Sequence, residues 1–223
     1  MSRTATYTAL VLRCRQSGES NNEVTLLTSE EGILKATVFG GSKSKLRAHC
    51  APYNSGQVWI YRDKAKDYAK LSDFDVHSWR AGLRELYERT MSASAVAETI
   101  LSSHGGGGDW QAALKIAIET LDALENANEE LCGRLLVHFM WRWAHLLGIQ
   151  PDINENNINC EVQTEYGLVL SPGSRKWLSV VGNLEPAQLH RYSMDSKSFG
   201  EVKSLVATIL TEALGKRLAS WNW

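Results

Sequence analysis

A change in the spacing of apolar residues near position 80 constrains this chain more than any other feature. Upstream, apolar and polar residues alternate with a period of two, which belongs to half-buried strands; downstream they recur every three to four residues, which belongs to helices with one buried face. The two patterns are segregated along the sequence, which predicts an α+β protein with an N-terminal domain over 1–80 and a mainly helical domain over 81–223. Hydrophobic residues make up 43% of the 223, so each domain can bury a core without disulfide staples.

Five strands are legible upstream. Tyr7 to Arg15 alternates, with Leu10, Leu12 and Cys14 on one face and Arg13 and Arg15 on the other. The polar stretch Gln16–Asn22 turns the chain into a second run, Glu23–Thr28. Glu30-Glu31-Gly32 then reads as a tight hairpin connection, because glycine reaches positive φ without steric cost. A third run, Ile33–Phe39, sets Leu34, Ala36 and Val38 against Lys35 and Thr37. Gln57–Tyr61 and Tyr68–Trp79 supply two more, joined by the charged connection Arg62–Asp67. Five short strands separated by turns predict a small barrel, of which the OB-fold is the common five-stranded form.

Downstream, Leu83, Leu86, Tyr87, Thr90, Ala93, Ala97 and Ile100 mark the stripe of a first helix. It ends at Ser102-Ser103-His104 and four glycines, Gly105–Gly108, which read as a flexible loop. A second helix spans Trp110 to Leu124, and a third runs from about Glu129 to Leu147, stopped by Gly148 and Pro151. The third is apolar nearly all round, which places it at the centre of its domain. Asp152–Val181 reads as mostly irregular, with a short hairpin at Glu161–Leu170. The capping box Ser198-x-x-Glu201 predicts a last helix reaching about Ala219.

Several chemistries find no support. Cys14, Cys50, Cys132 and Cys160 lie far apart and form no Cys-x-x-Cys pair, the usage of reduced thiols in a cytoplasmic protein. No signal peptide is visible, and the longest apolar stretch, Leu135–Leu147, is interrupted by His138, Arg142 and His145, so no membrane partner is expected. His138 and His145 are two helical turns, about 10 Å, apart, too far to share one zinc unaided. Gly40-Gly41-Ser42-Lys43-Ser44 lacks the upstream glycine of a phosphate loop, and no lysine directly follows a glycine in it. Cys14 or Cys50 with His49 or His77 would need a tertiary coincidence to make a thiol–imidazole pair. The expectation is no catalytic residue, no metal and no cofactor. Trp110, Trp141 and Trp143 fit helical cores or interfaces, and Trp221 and Trp223 either dock on the core or meet a partner.

Charge is more informative. Residues 1–80 carry 12 Lys+Arg against 8 Asp+Glu, a net +4; residues 81–223 carry 12 against 17, a net −5. Gly32–Tyr61 holds Lys35, Lys43, Lys45 and Arg47 and no acidic residue. With Arg13 and Arg15 facing away from the apolar side of their strand, these cations form a candidate track for nucleic-acid phosphates. Solvated lysines on an ordinary barrel surface would look the same in sequence.

Three blocks carry a family resemblance. Val11-Leu12-Arg13, Glu19, Val24-x-Leu26-Leu27-Thr28-x-Glu30-x-Gly32, Gly40 and Lys43-Ser44-Lys45-Leu46 resemble the amino-terminal barrel of RecO proteins. Leu135-Leu136 through Leu146-Leu147-Gly148-Ile149-Gln150-Pro151-Asp152 is similar to the family's central helix and its exit, and Tyr166-Gly167-Leu168-Val169 sits where the family has a glycine-containing turn. The resemblance implies a DNA repair and recombination mediator. Such a protein binds single- and double-stranded DNA, anneals complementary strands, and works with RecR and single-strand-binding protein to load RecA. It places nucleic-acid contacts at Arg13, Arg15, Lys35, Lys43, Lys45 and Arg47. Many members also carry a four-cysteine zinc motif. Here Cys160 stands alone, with Asn156, Asn157 and Ser171 in its neighbourhood, so a zinc-free lobe is expected at about 152–182. The alternative is a protein-interaction adaptor with little direct DNA binding, recruiting partners through its acidic helical half.

Overall fold

The computed structural model describes residues 4–40, 44–63, 68–153 and 161–221. It contains two compact units: Met1–Ala81 with Ser103–Ile118, and Gly82–Ser102 with Glu119–Trp223.

In the first unit, strands β1 (Thr4–Ser17), β2 (Asn21–Thr28), β3 (Gly32–Val38), β4 (Ser55–Asp63) and β5 (Tyr68–Ser78) close into a barrel in the order β1-β2-β3-β5-β4. The long β1 makes closure possible. Its first half pairs with β4 and its second half with β2, while β3 and β5 meet in parallel. The interior is filled by Tyr7, Ala9, Val11, Val24, Leu26, Leu34, Ala36, Val58, Ile60, Leu71 and Phe74. Helix α1 (Lys45–His49) joins β3 to β4, and its Leu46 packs on that core.

Three bulges bend the sheet. Leu12 is the extra residue between the pairs Val11↔Leu26 and Arg13↔Thr25. Ser72 and His77 play the same part in β5 against β4. Each extra residue sharpens local twist, which a five-stranded sheet needs to curl shut. The bulge at Leu12 also corrects the sequence expectation for β1. Val11 and Cys14 both face the barrel interior, whereas Leu10 and Leu12 are buried outside its core cluster. Strict alternation fails at the inserted residue.

Outside the barrel, Leu10, Leu27 and Ile33 share one cross-strand row. The segment after residue 102 lies against that row. A Cβ built on Gly105 would be 3.2 Å from Ile33 and 3.4 Å from Leu27, and the Trp110 indole stands against Gly32. Gly105 to Gly108 all have positive φ, from 76° to 123°, and Gly105 and Gly106 are buried. The expected flexible loop is instead a packed turn with a backbone path that suits glycine. Gly105→Ala is expected to lower stability by about 2 kcal/mol, measured as a shift in the denaturant midpoint; an unchanged midpoint would show that the turn can relax.

The second unit is helical. A 3-10 turn (Ala81–Arg84) leads into α2 (Tyr87–Ser102); α3 (Trp110–Glu125), whose residues up to Ile118 belong to the first unit, and α4 (Glu129–Leu146) follow. Asn128 caps α4 by accepting from the Leu131 N–H, and ten of its side chains, from Cys132 to Ala144, are buried. α4 packs against both α2 and α6 (Ser196–Leu214), the central position its all-round apolarity predicts. Tyr87 departs from its expected stripe and is 71% exposed.

Residues 161–181 correct a second expectation. The short hairpin is present as β6 (Val162–Gln163) and β7 (Val169–Leu170), but it is followed by helix α5 (Pro172–Val181) rather than irregular chain. Ser171 caps α5, Pro172 occupies its first turn, and Trp177, Leu178 and Val181 are buried. The last helix starts earlier than the Ser198 box implies. Asp195 is its cap, accepting from the Ser198 N–H at 2.9 Å, and Gly215 ends it with φ 66°. Glu201 reaches instead to α5, accepting from the Ser171 N–H at 2.8 Å and the Ser174 hydroxyl at 2.5 Å. Beyond α6, Glu98 accepts from the Ala219 and Ser220 N–H groups, and Trp221 is buried. Trp223 lies outside the described residues.

Candidate nucleic-acid interface

Strand register decides which cations stand together. Arg13 on β1 faces Thr25 on β2, which faces Lys35 on β3, so the three residues form one row across adjacent strands. Arg15, Glu23 and Thr37 form the next row. Neighbouring strands are about 4.8 Å apart, which puts the Arg13 and Lys35 backbones within about 10 Å. Arg13, Arg15 and Lys35 are exposed on the outer face, because the residues alternating with them fill the barrel.

The remaining predicted cations lie elsewhere. Lys45 and Arg47 are on α1, which packs against β5. Lys45 is exposed; Arg47 is half-buried, with Nη1 donating to the Gly40 carbonyl at 3.5 Å. Lys43 falls outside the described residues. The structure therefore gathers three of the six on one strand face and sets two on the helix that follows β3. Among the described residues, no carboxylate makes an ion pair with any of these five. The closest cross-strand carboxylate is Glu23, opposite Arg15.

Register also reveals a cation that the sequence reading missed. Lys70 pairs with Thr37 across the β3–β5 seam, extending the Arg15 row onto a fourth strand. Its Nζ sits 5.5 Å from the Phe39 ring centre, and Phe39 is 42% exposed. Counting alternation onward from Lys35 and Thr37 would have placed Phe39 on this same outer face.

The groups considered for other chemistry are committed to structure. Burial pushes the Cys50 thiol up to about 12, which keeps it protonated and unsuited to attack as a thiolate. His49 Nδ1 donates to the Phe74 carbonyl at 2.8 Å, and the exposed His77 sits 3.4 Å from Asp75. Burial, helped by the Arg142 cation, holds His138 down at about 4. Its neutral ring donates through Nε2 to the Val181 carbonyl at 3.0 Å, anchoring the end of α5. His145 pairs with the Gln150 side chain at 3.2 Å.

Zinc does not fit the described part of the lobe. Residues 161–181 contain neither cysteine nor histidine, and the Ser171 hydroxyl is used as a helix cap. Cys160, Asn156 and Asn157 lie outside the described residues. Among the described residues, no cluster of three or more His, Cys, Asp or Glu side chains could hold a metal, and no helix is long and apolar enough to cross a membrane.

A closed five-stranded barrel with a helix between its third and fourth strands, followed by a helical region, defines an OB-fold protein with a helical extension. Residues 1–79 match the family described as Recombination protein O N terminal. A DNA repair protein RecO from Pelotomaculum thermopropionicum is 30% identical over 145 residues, 64% of this chain and 55% of that protein. Those of Heliobacterium modesticaldum and Gloeothece citriformis are 37% identical over 105 residues and 31% over 104. The matches cover 45% and 46% of this chain, and 38% and 36% of those proteins. The chain is thus similar to RecO proteins, most specifically over its amino-terminal barrel. It spans about half the length of the first of these relatives and less of the other two.

Proposed function

We propose that this chain is a cytoplasmic DNA repair and recombination factor that acts by binding rather than by catalysis. Its barrel grips the backbone of single- and double-stranded DNA through Arg13, Arg15, Lys35, Lys43, Lys45 and Arg47. The observation that carries this reading is the pair Arg13 and Lys35 flanking the buried Thr25 in one row, with Arg15 beside it; all three cations are exposed and without carboxylate ion pairs among the described residues. Unpaired cations on a rigid sheet neutralise phosphates and release condensed counterions, and they lower the repulsion between two strands brought together. Annealing of complementary strands needs that effect and no bond chemistry. The likeness to RecO proteins extends the proposal to assistance in loading RecA, together with RecR and single-strand-binding protein. Backbone contacts of this kind carry no base-sequence information, so affinity should not depend on sequence.

The test is a salt titration of oligonucleotide binding by the full chain. Six phosphate contacts on a single strand predict that log K falls against log salt with a slope of about −4. Each of Arg13→Ala, Lys35→Ala and Lys45→Ala should reduce that slope by about 0.7. No binding at low salt, with RecR or single-strand-binding protein still captured, would replace this reading with the adaptor.

A further inference from the structure

The β3–β5 seam is the thinnest closure in the barrel. Among the described residues its two strands are in register at one pair, Thr37↔Lys70, whereas the other four strand pairs share ladders of seven or more positions. Away from that pair the strands part around a groove of about 430 Å³, within the range of small-ligand sites. Lys35 and Tyr68 line it, together with Arg62 and Asp63 of β4, of which Asp63 pairs with Tyr68. Arg62 is already committed to Glu31. Tyr68 is half-buried, yet its hydroxyl is shielded from solvent and has no hydrogen-bond partner among the described residues. At the rim, the exposed Phe39 ring lies 6.2 Å from the Tyr68 ring, centre to centre, tilted by 55°. Lys70, opposite Thr37, stands between Lys35 and Phe39 along this face.

We infer that this seam is a base-stacking site for an unpaired nucleotide, with Phe39 offering a ring face beside the Tyr68 ring, and Lys35 and Lys70 the phosphate contacts. The inference rests on the nucleic-acid reading above and adds to it a reason for binding single strands. A ring face can take a base only if that base has a free face, and duplex stacking covers both. Stacking on an aromatic side chain is also indifferent to base identity, which fits a repair factor meeting arbitrary sequence. Lys70 is poised for exchange. It now rests against the Phe39 ring, where a cation–π contact is weak at an exposed position. A phosphate can draw it away as a base takes the ring.

The experiment compares binding of the full chain to oligo(dT) and to an abasic strand of equal length, which keeps the phosphates and removes the bases. Oligo(dT) should bind roughly tenfold more tightly. Phe39→Ala should bring the ratio of the two affinities to near one, and Phe39→Trp should restore it. Phe39 is a surface residue, so the fold is not at stake. Equal affinity of the native chain for both strands, or a ratio unaffected by Phe39→Ala, overturns the stacking site. The salt-dependent grip would then survive alone. Absence of salt-dependent binding to either strand removes both ideas together.

Discussion

Exchanging Arg13 and Lys35 together for glutamate is expected to weaken oligonucleotide binding on the order of a thousandfold at about 50 mM salt, and far less at high salt. The two residues flank Thr25 in one cross-strand row, about 10 Å apart, which is within a Debye length at moderate ionic strength. A strand lying along that face feels both charges at once, so reversal replaces two attractions by two repulsions. Both side chains are exposed, and neither makes an ion pair among the described residues. The fold therefore loses little when they change, and the thermal midpoint should stay within a few degrees of the native value. Undiminished affinity in the double variant would remove the β1–β3 face from the interface.

The second large effect concerns closure of the barrel. Gly56 lies on β4 between Ala9 of β1 and Val76 of β5, beside the bulge at His77. A Cβ there would stand 2.0 Å from the Asp75 carbonyl oxygen and 2.8 Å from the His77 nitrogen. Both are backbone atoms of β5 where it is laddered to β4, so neither can move far without disturbing those pairs. Gly56→Ala is expected to cost about 4 kcal/mol or more, enough to unfold much of the barrel. Gly18→Ala is the comparison. Its φ of 76° disfavours a side chain, unlike the backbone at Gly56, but no atom lies within 4 Å, so about 1 kcal/mol is expected. Urea denaturation followed by circular dichroism separates the two, and similar midpoints would refute the steric argument.

Much of the architecture was legible because local pattern and tertiary burial agree. Leu34, Ala36 and Val38 alternate with Lys35 and Thr37 in sequence, and they alternate inward and outward in β3. The breadth of apolar surface on α4 marked it as central. The missed helix α5 had readable signals: Ser171 and Pro172 at its start, then Trp177, Leu178 and Val181 at helical spacing. They were outweighed by the polar residues on either side. Bulges were harder to see. An extra residue such as Leu12 leaves no mark in composition, yet it reverses which side chains face inward.

The candidate interface was legible residue by residue but not as a surface. Alternation showed that Arg13, Arg15 and Lys35 point outward. It could not show that Arg13 and Lys35 share a row, because register is fixed by pairing between distant segments. Lys70 and Phe39 were missed for the same reason, being 31 residues apart in sequence and joined by the parallel seam.

The turn at Gly105–Gly108 gives the barrel an unexpected dependence on chain that follows the first 80 residues. A fragment ending at residue 80 would leave Leu27 and Ile33 wet on one side, where Gly105 now touches them. It would also lose the Trp110 indole that stands over Gly32. The stretch recognisable as a domain by sequence is thus shorter than the stretch that folds as one. Excised at that border, it would offer a bare greasy stripe to its neighbours and tend to clump.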